Sequence, residues 1–310
     1  MLHIIYHRSD FDGLFCREIA RYALTHEAAA AANWIGYERT DPVPDIPRDP
    51  DTVVLMMDIS IPELMDHPGL IWIDHHKTAM EKWDRPNLPG SRCDGIAACQ
   101  LAWDYLLAAG PKRWNHYELD LEMRRHSDYS PGSLEQIRKR LAKTEPLAVT
   151  LAGRYDVWDI DEDVLNFQYG LKGLPFGPDR FEDLVTYSKV VDATINIGVS
   201  LRYASDQENA QIIASNGFTV HWEGLTFLAC NAGRYNSQLF TAGIRPEHDG
   251  LIGFCFRAGG RWSVSLYGVP GKPDIDLSAI ATKHGGGGHK QACGFLCDWP
   301  PFVSTSLAND

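Results

Sequence analysis

Histidine and aspartate residues follow three short apolar segments in the first quarter of the chain. Residues 2–6 and 53–57 run into aspartates, and residues 70–73 run into an Asp-His-His sequence. Imidazole and carboxylate groups without thiolates are ligands that suit Mn²⁺, Mg²⁺ and related divalent ions. Two such ions held close together can activate water and stabilise charge on a phosphoryl group. The pattern therefore indicates a site for divalent metal ions, and the residues that carry it are His7, Asp10, Asp12, Asp58, Asp74, His75 and His76.

The elements that must position these side chains are strands of a parallel sheet. The three apolar segments are predicted strands, and a helix from Gly13 to about His26 and a short helix at Pro62–Leu64 separate them. Four prolines between Thr40 and Asp51 predict a loop within one domain. The carboxyl ends of parallel strands lie along one edge of the sheet, where ligands bind. Residues distant in sequence are therefore expected to meet at that edge.

Single residues of this pattern have other interpretations. Asp12 and Asp58 are each suited to cap a helix or a turn, and His7 to a surface position. An extended turn would place the carboxylates of Asp10 and Asp12 on one side, with Phe11 pointing away. The occurrence of the pattern at three strand ends, in this order, favours a shared metal site over these separate interpretations.

These segments resemble the motifs of the DHH phosphoesterase superfamily, which includes RecJ-type exonucleases, nanoRNases and family II inorganic pyrophosphatases. The spacing His7-Arg8-Ser9-Asp10, with two residues between histidine and aspartate where many members have three, resembles the oligoribonuclease branch. The resemblance implies that one divalent ion binds His7, Asp10 and Asp58. It implies that a second ion binds Asp12, Asp58, His75 and Asp156, so that Asp58 is the bridge.

The resemblance also implies roles for the residues around the ions. Asp74 would orient an imidazole by hydrogen bonding, and His76 would face the phosphate, stabilising charge or donating a proton to the leaving oxygen. Asp159 and Asp161 are alternatives to Asp156 as a ligand, because no strand clearly precedes this acidic cluster. We expect two divalent cations, with Mn²⁺ as the first choice and Mg²⁺ or Co²⁺ as alternatives.

The predicted architecture changes in the second half of the chain. A long helix is predicted over residues 183–215, and alternating segments separated by turns such as Glu223-Gly224 then predict hairpins. Asp94 is a candidate N-cap for a helix to about Leu107, and Ser133 begins a capping box before another helix. We expect an α/β fold, with an N-terminal parallel-sheet DHH domain at 1–185, a helical linker at 186–215 and a smaller α+β C-terminal domain at 216–310.

A run of four glycines, Gly285-Gly286-Gly287-Gly288, precedes His289 near the C-terminus. Glycines allow positive φ and bring backbone N–H groups close to an anion, whereas a flexible tether is the alternative. A predicted capped helix before the run and an apolar strand after it favour the first interpretation. The run resembles the Gly-Gly-Gly-His signature of the DHH-associated C-terminal domain, which implies that these residues contact the nucleotide or phosphate of the substrate.

The same resemblance predicts that Asn231 contacts the substrate. The family often carries Ser-x-Arg-Ser where this chain has Ser265-Leu-Tyr267-Gly, so the usual phosphate-binding arginine is absent. Arg257, Arg261 and Arg234 are candidates to replace it, with Arg257 as the first choice.

Composition limits the classes of function. With 310 residues, of which 44% are hydrophobic, the chain can form two domains, and its net charge of -12 argues against a stable complex with long duplex DNA. Seven scattered cysteines without a Cys-x-x-Cys pair favour neither a disulfide framework nor a zinc cluster. No signal sequence or long apolar segment is apparent, so we expect a cytoplasmic protein without membrane association.

These observations lead to a divalent-metal-dependent phosphodiesterase that hydrolyses short oligoribonucleotides or small nucleotides. A nucleotide phosphomonoesterase or a cyclic-dinucleotide phosphodiesterase of the same superfamily is the alternative. An inorganic pyrophosphatase and a non-catalytic nucleotide-binding sensor are less favoured. Short RNA or a nucleotide is the expected partner, and a homodimer is compatible with the sequence.

Overall fold

The chain divides into two compact units, Met1–Leu201 and Arg202–Asp310. A computed structural model describes residues 1–83, 88–107, 114–115, 133–233 and 235–303. The division falls within a long helix, and each unit has its own sheet. The two units are therefore described one at a time.

The first unit contains the predicted parallel sheet. Its strands are β1 (Leu2–His7), β2 (Asn33–Tyr37), β3 (Val53–Met57) and β4 (Leu70–Ile73), in the order β2-β1-β3-β4. All three neighbouring pairs are parallel, which confirms the α/β class. The strand β2 was not predicted. Four of its five residues are exposed or only partly buried, and the segment lacks the continuous apolar run that identified the other three strands.

Helices connect and cover these strands. They are α1 (Phe11–Ala23), α2 (His26–Ala31), α3 (Lys77–Lys82), α4 (Ala98–Leu107), α5 (Leu134–Thr144), α6 (Leu147–Asp156), α7 (Glu162–Lys172), α8 (Pro178–Thr186) and α9 (Ser188–Asn216), with a 3₁₀ turn at Pro62–Leu64. The predicted capping box is present, because Ser133 and Gln136 each bond the other's backbone. None of the helices among the described residues is long and apolar enough to cross a membrane.

Three predicted helix boundaries were wrong. The first helix ends at Ala23, because Thr25 accepts a hydrogen bond from the N–H of Ala28 and starts α2. Asp94 does not cap α4, which begins four residues later at Ala98. The helix predicted over 183–215 is two helices, α8 and α9, because Tyr187 between them has extended backbone angles.

The sheet of the first unit is buried on both faces. Ile4 packs with Phe15 of α1 on one face, and its neighbour Ile5 packs with Met56 and Trp72 on the other. Alternate residues of a strand point to opposite faces, so each strand contributes to two apolar clusters. This packing fixes the strands along their length and leaves their carboxyl ends to carry polar residues.

The second unit is a mixed sheet of six strands. The strands are β5 (Gly217–Trp222), β6 (Leu225–Asn231), β7 (Gly250–Phe256), β8 (Trp262–Gly268), β9 (Gly287–His289) and β10 (Ala292–Cys297), in the order β5-β6-β7-β8-β10-β9. Among the strands that the structure describes in this unit, β6 and β7 form the only parallel pair.

One face of this sheet packs on α10 (Leu277–Lys283), and the other packs on the end of α9 and a 3₁₀ helix at Ser237–Gly243. The predicted hairpin turn is present, because Glu223 and Gly224 both have positive φ, at 52° and 77°. The mixture of hairpins and helices agrees with the α+β architecture predicted for this part of the chain.

Candidate metal centre

The carboxyl ends of β1, β3 and β4 bring the predicted ligands to one edge of the sheet. His7 is the last residue of β1, and Asp58 and Asp74 directly follow β3 and β4. The N–H of Asp58 donates to the carbonyl of Ile73 at 3.0 Å, which fixes these two strand ends together. The parallel sheet thus places side chains from three separate segments side by side.

The segment after β1 differs from the extended turn predicted for it. Asp10 is the N-cap of α1 and accepts a hydrogen bond from the N–H of Gly13 at 3.0 Å, so Asp12 lies in the first helical turn. Gly13 allows α1 to start against β1, because a Cβ atom at this position would lie 1.9 Å from the carbonyl oxygen of His7. The prediction of an extended turn was wrong because the capping bond closes a helix at once.

One group of ligand atoms consists of His7, Asp10 and Asp58. Nδ1 of His7 lies 2.7 Å from Oδ2 of Asp10 and 3.6 Å from Oδ2 of Asp58. One ligand atom from each of the three residues lies within 4.8 Å of the others. Burial lowers the pKa of His7, but hydrogen bonds to the two carboxylates outweigh it and raise this pKa to about 11. Without a metal ion, a proton on the imidazole balances the carboxylates.

A second group consists of Asp12, His75 and Asp156. Nε2 of His75 lies 3.1 Å from Oδ2 of Asp156 and 3.6 Å from Oδ2 of Asp12. The same nitrogen lies 3.6 Å from Oδ1 of Asp58. Asp58 therefore directs Oδ2 toward the first group and Oδ1 toward the second. Its backbone has a φ of 57°, a left-handed conformation that aspartate and asparagine adopt more readily than most residues.

The second group is suited to a cation because the buried carboxylate of Asp12 and the half-buried carboxylate of Asp156 lie close together. Burial and the charge of Asp58 raise the pKa of Asp12, and burial raises the pKa of Asp156 to about 6 although His75 opposes the shift. The buried Oδ2 atom of Asp156 is paired with Nε2 of His75 at 3.1 Å, but among the described residues it accepts no hydrogen bond of suitable geometry. Buried carboxylates with unused acceptor capacity match the oxygen-rich ligand sets that Mg²⁺ and Mn²⁺ prefer.

The orientation of Asp12 is fixed by the N-terminus of α4. Its Oδ2 accepts a hydrogen bond from the N–H of Ala98 at 3.0 Å, and its Oδ1 accepts one from Cys99 at 2.7 Å. A helix N-terminus stabilises a negative charge through these N–H groups. Asp12 is thus both a cap, as the alternative interpretation proposed, and a member of the second group. Each oxygen keeps a lone pair for a further partner.

Asp74 is occupied by hydrogen bonds on both oxygens. Its Oδ1 lies 2.7 Å from Nδ1 of His76 and accepts the backbone N–H groups of His75 and His76. Its Oδ2 accepts bonds from Ser60 at 2.6 Å and from Trp72 at 3.2 Å. Burial favours the neutral acid, but the bonds to His76 and the other donors lower the pKa of Asp74. This arrangement is suited to orienting His76 and leaves Asp74 little capacity to bind an ion.

The alternatives to Asp156 are engaged elsewhere. Asp159 pairs with Arg154 at 2.8 Å, and Asp161 pairs with the same guanidinium and caps α7. Asp156 is the last residue of α6, so its approach to the sheet edge depends on how this helix packs. This position at the end of a helix explains why no strand precedes Asp156 in the sequence.

Sequence reasoning missed Glu38 and Ser60. Glu38 directly follows β2, and its Oε2 lies 3.4 Å from Nε2 of His7. The signal was the same as for the other strands, an acidic residue after Trp-Ile-Gly-Tyr, but this short segment was not recognised as a strand. Ser60 donates to Asp74 from the loop after β3, and no local pattern indicated that contact.

The glycine run of the second unit is an ordered part of its fold. Gly285, with a φ of 79°, donates its N–H to the carbonyl of Thr282, and Gly286 donates to Ala281 at 2.8 Å. These bonds terminate α10, as glycine commonly does at a helix C-terminus. Gly287 and Gly288 continue into β9, which pairs with β10. The N–H groups of Gly285 and Gly286 thus already have backbone partners.

The other predicted substrate residues lie around the same sheet. Asn231 ends β6, and Arg257 starts the turn between β7 and β8. His289, Ala292 and Tyr267 are adjacent across β9, β10 and β8.

Burial raises the pKa of Tyr267, and a hydrogen bond with Ser265 and the charge of Arg257 oppose this shift. Arg261 instead pairs with Asp298. Arg234 lies outside the described residues.

No protein-family model and no curated protein matches the chain. Among solved structures, a pGpG-specific phosphodiesterase, PggH, from Vibrio cholerae is 12% identical with a TM-score of 0.46, covering 99% of this chain and 96% of that one. The DHH domain of a member of a family of ribosomal proteins is 12% identical with a TM-score of 0.49, covering 95% and 82%. RecJ from Thermus thermophilus in complex with Mn²⁺ is 15% identical with a TM-score of 0.44, covering 99% and 51%. Similarity at this level assigns no activity to this chain.

Proposed function

We propose that this chain is a divalent-metal-dependent phosphodiesterase of the DHH type that hydrolyses short oligoribonucleotides or small nucleotides. The observation that carries the proposal is the position of Asp58, which directs one carboxylate oxygen to each of two groups of potential ligands. A shared carboxylate between two ion sites is suited to the two-ion hydrolysis of phosphate esters. The motifs that resemble the DHH superfamily supply the same residues in the same order.

The two groups define which residues would hold the ions. His7, Asp10 and Asp58 would bind one, and Asp12, Asp58, His75 and Asp156 would bind the other. Bound divalent ions supply a nucleophilic water near neutral pH and charge stabilisation on the phosphoryl oxygens. The chain itself holds the ligands in place through the strand ends and through the N-terminus of α4, which fixes Asp12.

His76 is the candidate proton donor to the leaving oxygen. Its Nδ1 lies 2.7 Å from Oδ1 of Asp74, so Nε2 is the ring atom that would carry the transferable proton. Burial lowers the pKa of His76, but the hydrogen bond to Asp74 and the charge of Asp58 raise it overall. These interactions favour the imidazolium, the form that a general acid needs.

Short substrates are favoured over long duplexes by charge. The net charge of -12 cannot neutralise an extended phosphate backbone. A dinucleotide carries little charge and needs only a local set of contacts. Arg257 and the β9 strand that ends at His289 are the candidates for these contacts in the second unit.

The test uses the generic phosphodiester bis-p-nitrophenyl phosphate with added Mn²⁺. Asp58→Asn keeps the shape of the side chain and suits the left-handed backbone, but it removes the shared charge. Loss of several kcal/mol of transition-state stabilisation should lower kcat/KM by about 10³-fold. Asp159→Asn is the matched control, because it removes an exposed carboxylate close in sequence to Asp156, and it should keep nearly full activity.

Equal turnover by wild-type protein and Asp58→Asn would contradict the proposal. Absence of turnover by the wild-type protein, with nucleotide binding retained, would favour the non-catalytic sensor.

A substrate panel then tests specificity, using dinucleotides, longer RNA, DNA, cyclic dinucleotides and nucleoside monophosphates. Preference for the shortest RNAs would support the oligoribonuclease assignment. Preference for a monophosphate or a cyclic dinucleotide would replace it with the corresponding alternative.

A further inference from the structure

A cavity of about 370 Å³ lies in the first unit, away from the strand ends. It is lined by residues of α1, α2 and α8, and none of the candidate metal ligands is among them. Glu18 in its wall follows Asp12 by six residues of α1, which corresponds to roughly 9 Å along a helix. The cavity volume falls in the range of small-molecule binding sites.

Part of the cavity wall is apolar. Leu24 lines it from the position directly after α1, Ala29 and Ala30 line it from α2, and Phe181 lines it from α8. The Phe181 ring packs edge-on against Tyr22, with centroids 6.2 Å apart. These surfaces are suited to the aliphatic body of a ligand and give no favourable contact to a fully hydrated ion.

Glu18 is the unusual polar group in the wall, with only 1% of the residue exposed. Its Oε1 accepts a hydrogen bond from Nε of Arg17 at 2.5 Å. Its Oε2 lies 3.3 Å from Nε of Arg21, but among the described residues it accepts no hydrogen bond. The Arg21 guanidinium is held over the Trp34 ring at 4.3 Å. A buried carboxylate oxygen with unused acceptor capacity is costly unless a further donor reaches it.

The charges at the cavity favour a cation. The lining residues include the carboxylates of Glu18, Asp179 and Glu182, the guanidinium of Arg21 and the imidazole of His26. Arg17, which is outside the lining, donates a hydrogen bond to Glu18 and offsets its charge, which leaves the carboxylates of Asp179 and Glu182 in excess. Asp179 and Glu182 are exposed on α8 and both belong to the cavity lining. An anion would meet an excess of negative charge at this site.

We propose that this cavity binds a small organic cation of the alkylammonium class, such as a diamine or polyamine. Methylene groups cover the apolar wall, and ammonium groups donate hydrogen bonds to the carboxylates. This site is independent of the phosphodiesterase proposal, because it shares no residue with the metal centre.

The test measures binding of putrescine and spermidine to the full-length protein by titration calorimetry at fixed ionic strength. Saturating Mn²⁺ is present, so that the carboxylates of the metal centre do not contribute. The double variant Asp179→Asn/Glu182→Gln should weaken spermidine binding about tenfold, since each charge–charge contact at a partly exposed site contributes up to about 1 kcal/mol. Asp183→Asn, an exposed carboxylate on the same helix that does not line the cavity, should bind as the wild-type protein does.

A second variant tests whether binding needs the volume of the cavity, rather than the charge of its lining. Ala30 is exposed at the cavity wall, so Ala30→Trp should fill the space without disturbing the core and should abolish spermidine binding. The thermal midpoint of each variant without ligand checks that the fold is retained. Binding unchanged by both sets of substitutions would overturn the proposal. Absence of any spermidine binding to the wild-type protein, or equal binding by Mg²⁺ at the same concentrations, would overturn it as well.

Discussion

The sheet edge of the first unit and the glycine run of the second unit carry the two most specific motifs of the sequence, yet their polar groups differ in what they already bond. At the sheet edge, carboxylates and imidazoles face one another, and Oδ2 of Asp156 accepts no hydrogen bond from the described residues. In the glycine run, the N–H groups of Gly285 and Gly286 donate to carbonyls of α10. A motif can serve a ligand only where the fold leaves hydrogen-bonding capacity unused.

The two regions also differ in why their residues are required. At the edge, chemistry accounts for the residue types, since only acids and histidines can hold ions there. In the run, steric demands account for most of the glycines. Gly285 and Gly288 have positive φ, and a Cβ atom on Gly286 would lie 2.0 Å from the carbonyl oxygen of Gly294. Gly287 has neither a positive φ nor a close neighbour at the Cβ position. A substitution of Gly287 can therefore test a role in binding without a large effect on folding.

After that of Asp58→Asn, the largest effect is expected at the edge, from Asp156→Asn. This change leaves the shape of the second group but removes one of its two carboxylates. We expect kcat/KM for bis-p-nitrophenyl phosphate to fall by on the order of 10²-fold or more, because a ligand of a catalytic ion contributes several kcal/mol to transition-state stabilisation. Calorimetric titration with Mn²⁺ should show weaker binding. Unchanged Mn²⁺ affinity would show that Asp156 is not a ligand of the ion.

A smaller loss is expected from Asp74→Asn. An amide cannot accept bonds at both positions, so it would no longer orient His76, and partners of this kind typically contribute about 10- to 100-fold to activity or metal affinity. Ser60→Ala is the matched control, because it removes only one of the bonds to Asp74, and it should reduce kcat less. The pH profile of kcat should shift in Asp74→Asn through His76. A loss as large as that of Asp58→Asn, with Mn²⁺ binding abolished, would show that Asp74 is itself a ligand.

The edge should also respond to pH in a way that the glycine run does not. The pKa of His7 is raised to about 11 in the folded protein from 6.5 in the unfolded chain. Protonated His7 therefore stabilises the metal-free protein fully below pH 6.5, and this stabilisation is lost as the pH rises toward 11. A metal ion replaces the proton, so Mn²⁺ affinity should rise with pH by up to about tenfold per unit for each proton displaced.

Thermal unfolding at pH 6.5 to 9, with Mn²⁺ or with EDTA, measures this effect. The difference between the two midpoints should increase with pH in the wild-type protein and increase less in His7→Asn. A difference that is constant with pH would contradict the assignment of His7 as a ligand.

The smallest effects are expected in the glycine run, and they separate folding from binding. Gly286→Ala should lower the free energy of unfolding by about 1–3 kcal/mol, because the added methyl group meets backbone atoms. Gly287→Ala should change it by less than about 0.5 kcal/mol. Urea denaturation measures both.

The activity of Gly287→Ala gives the second readout. If substrate approaches the backbone at this position, KM for a dinucleotide should rise while hydrolysis of bis-p-nitrophenyl phosphate stays unchanged. A wild-type KM for both substrates would show that the run serves the fold alone.

Much of the first unit could be predicted because the sequence patterns that indicate its strands lie within short segments. The strands β3 and β4 are continuous apolar runs that end at Asp58 and Asp74. A parallel sheet brings such ends together whatever the intervening chain does. The strand β2 and the position of Glu38 were not predicted, because a partly buried edge strand has no continuous apolar run. The α+β character of the second unit could be predicted from its turn residues, such as Glu223-Gly224.

The sequence by itself determined which residues carry the chemistry and the order in which strands deliver them, because residue type and apolar periodicity are properties of short segments. Only the tertiary structure decided how those residues are used. Asp12 accepts hydrogen bonds from Ala98 and Cys99, more than 80 residues away, and Asp156 reaches His75 from the end of a helix. Such contacts depend on the packing of separate elements, and no local pattern encodes the distance between two side chains that meet only after folding.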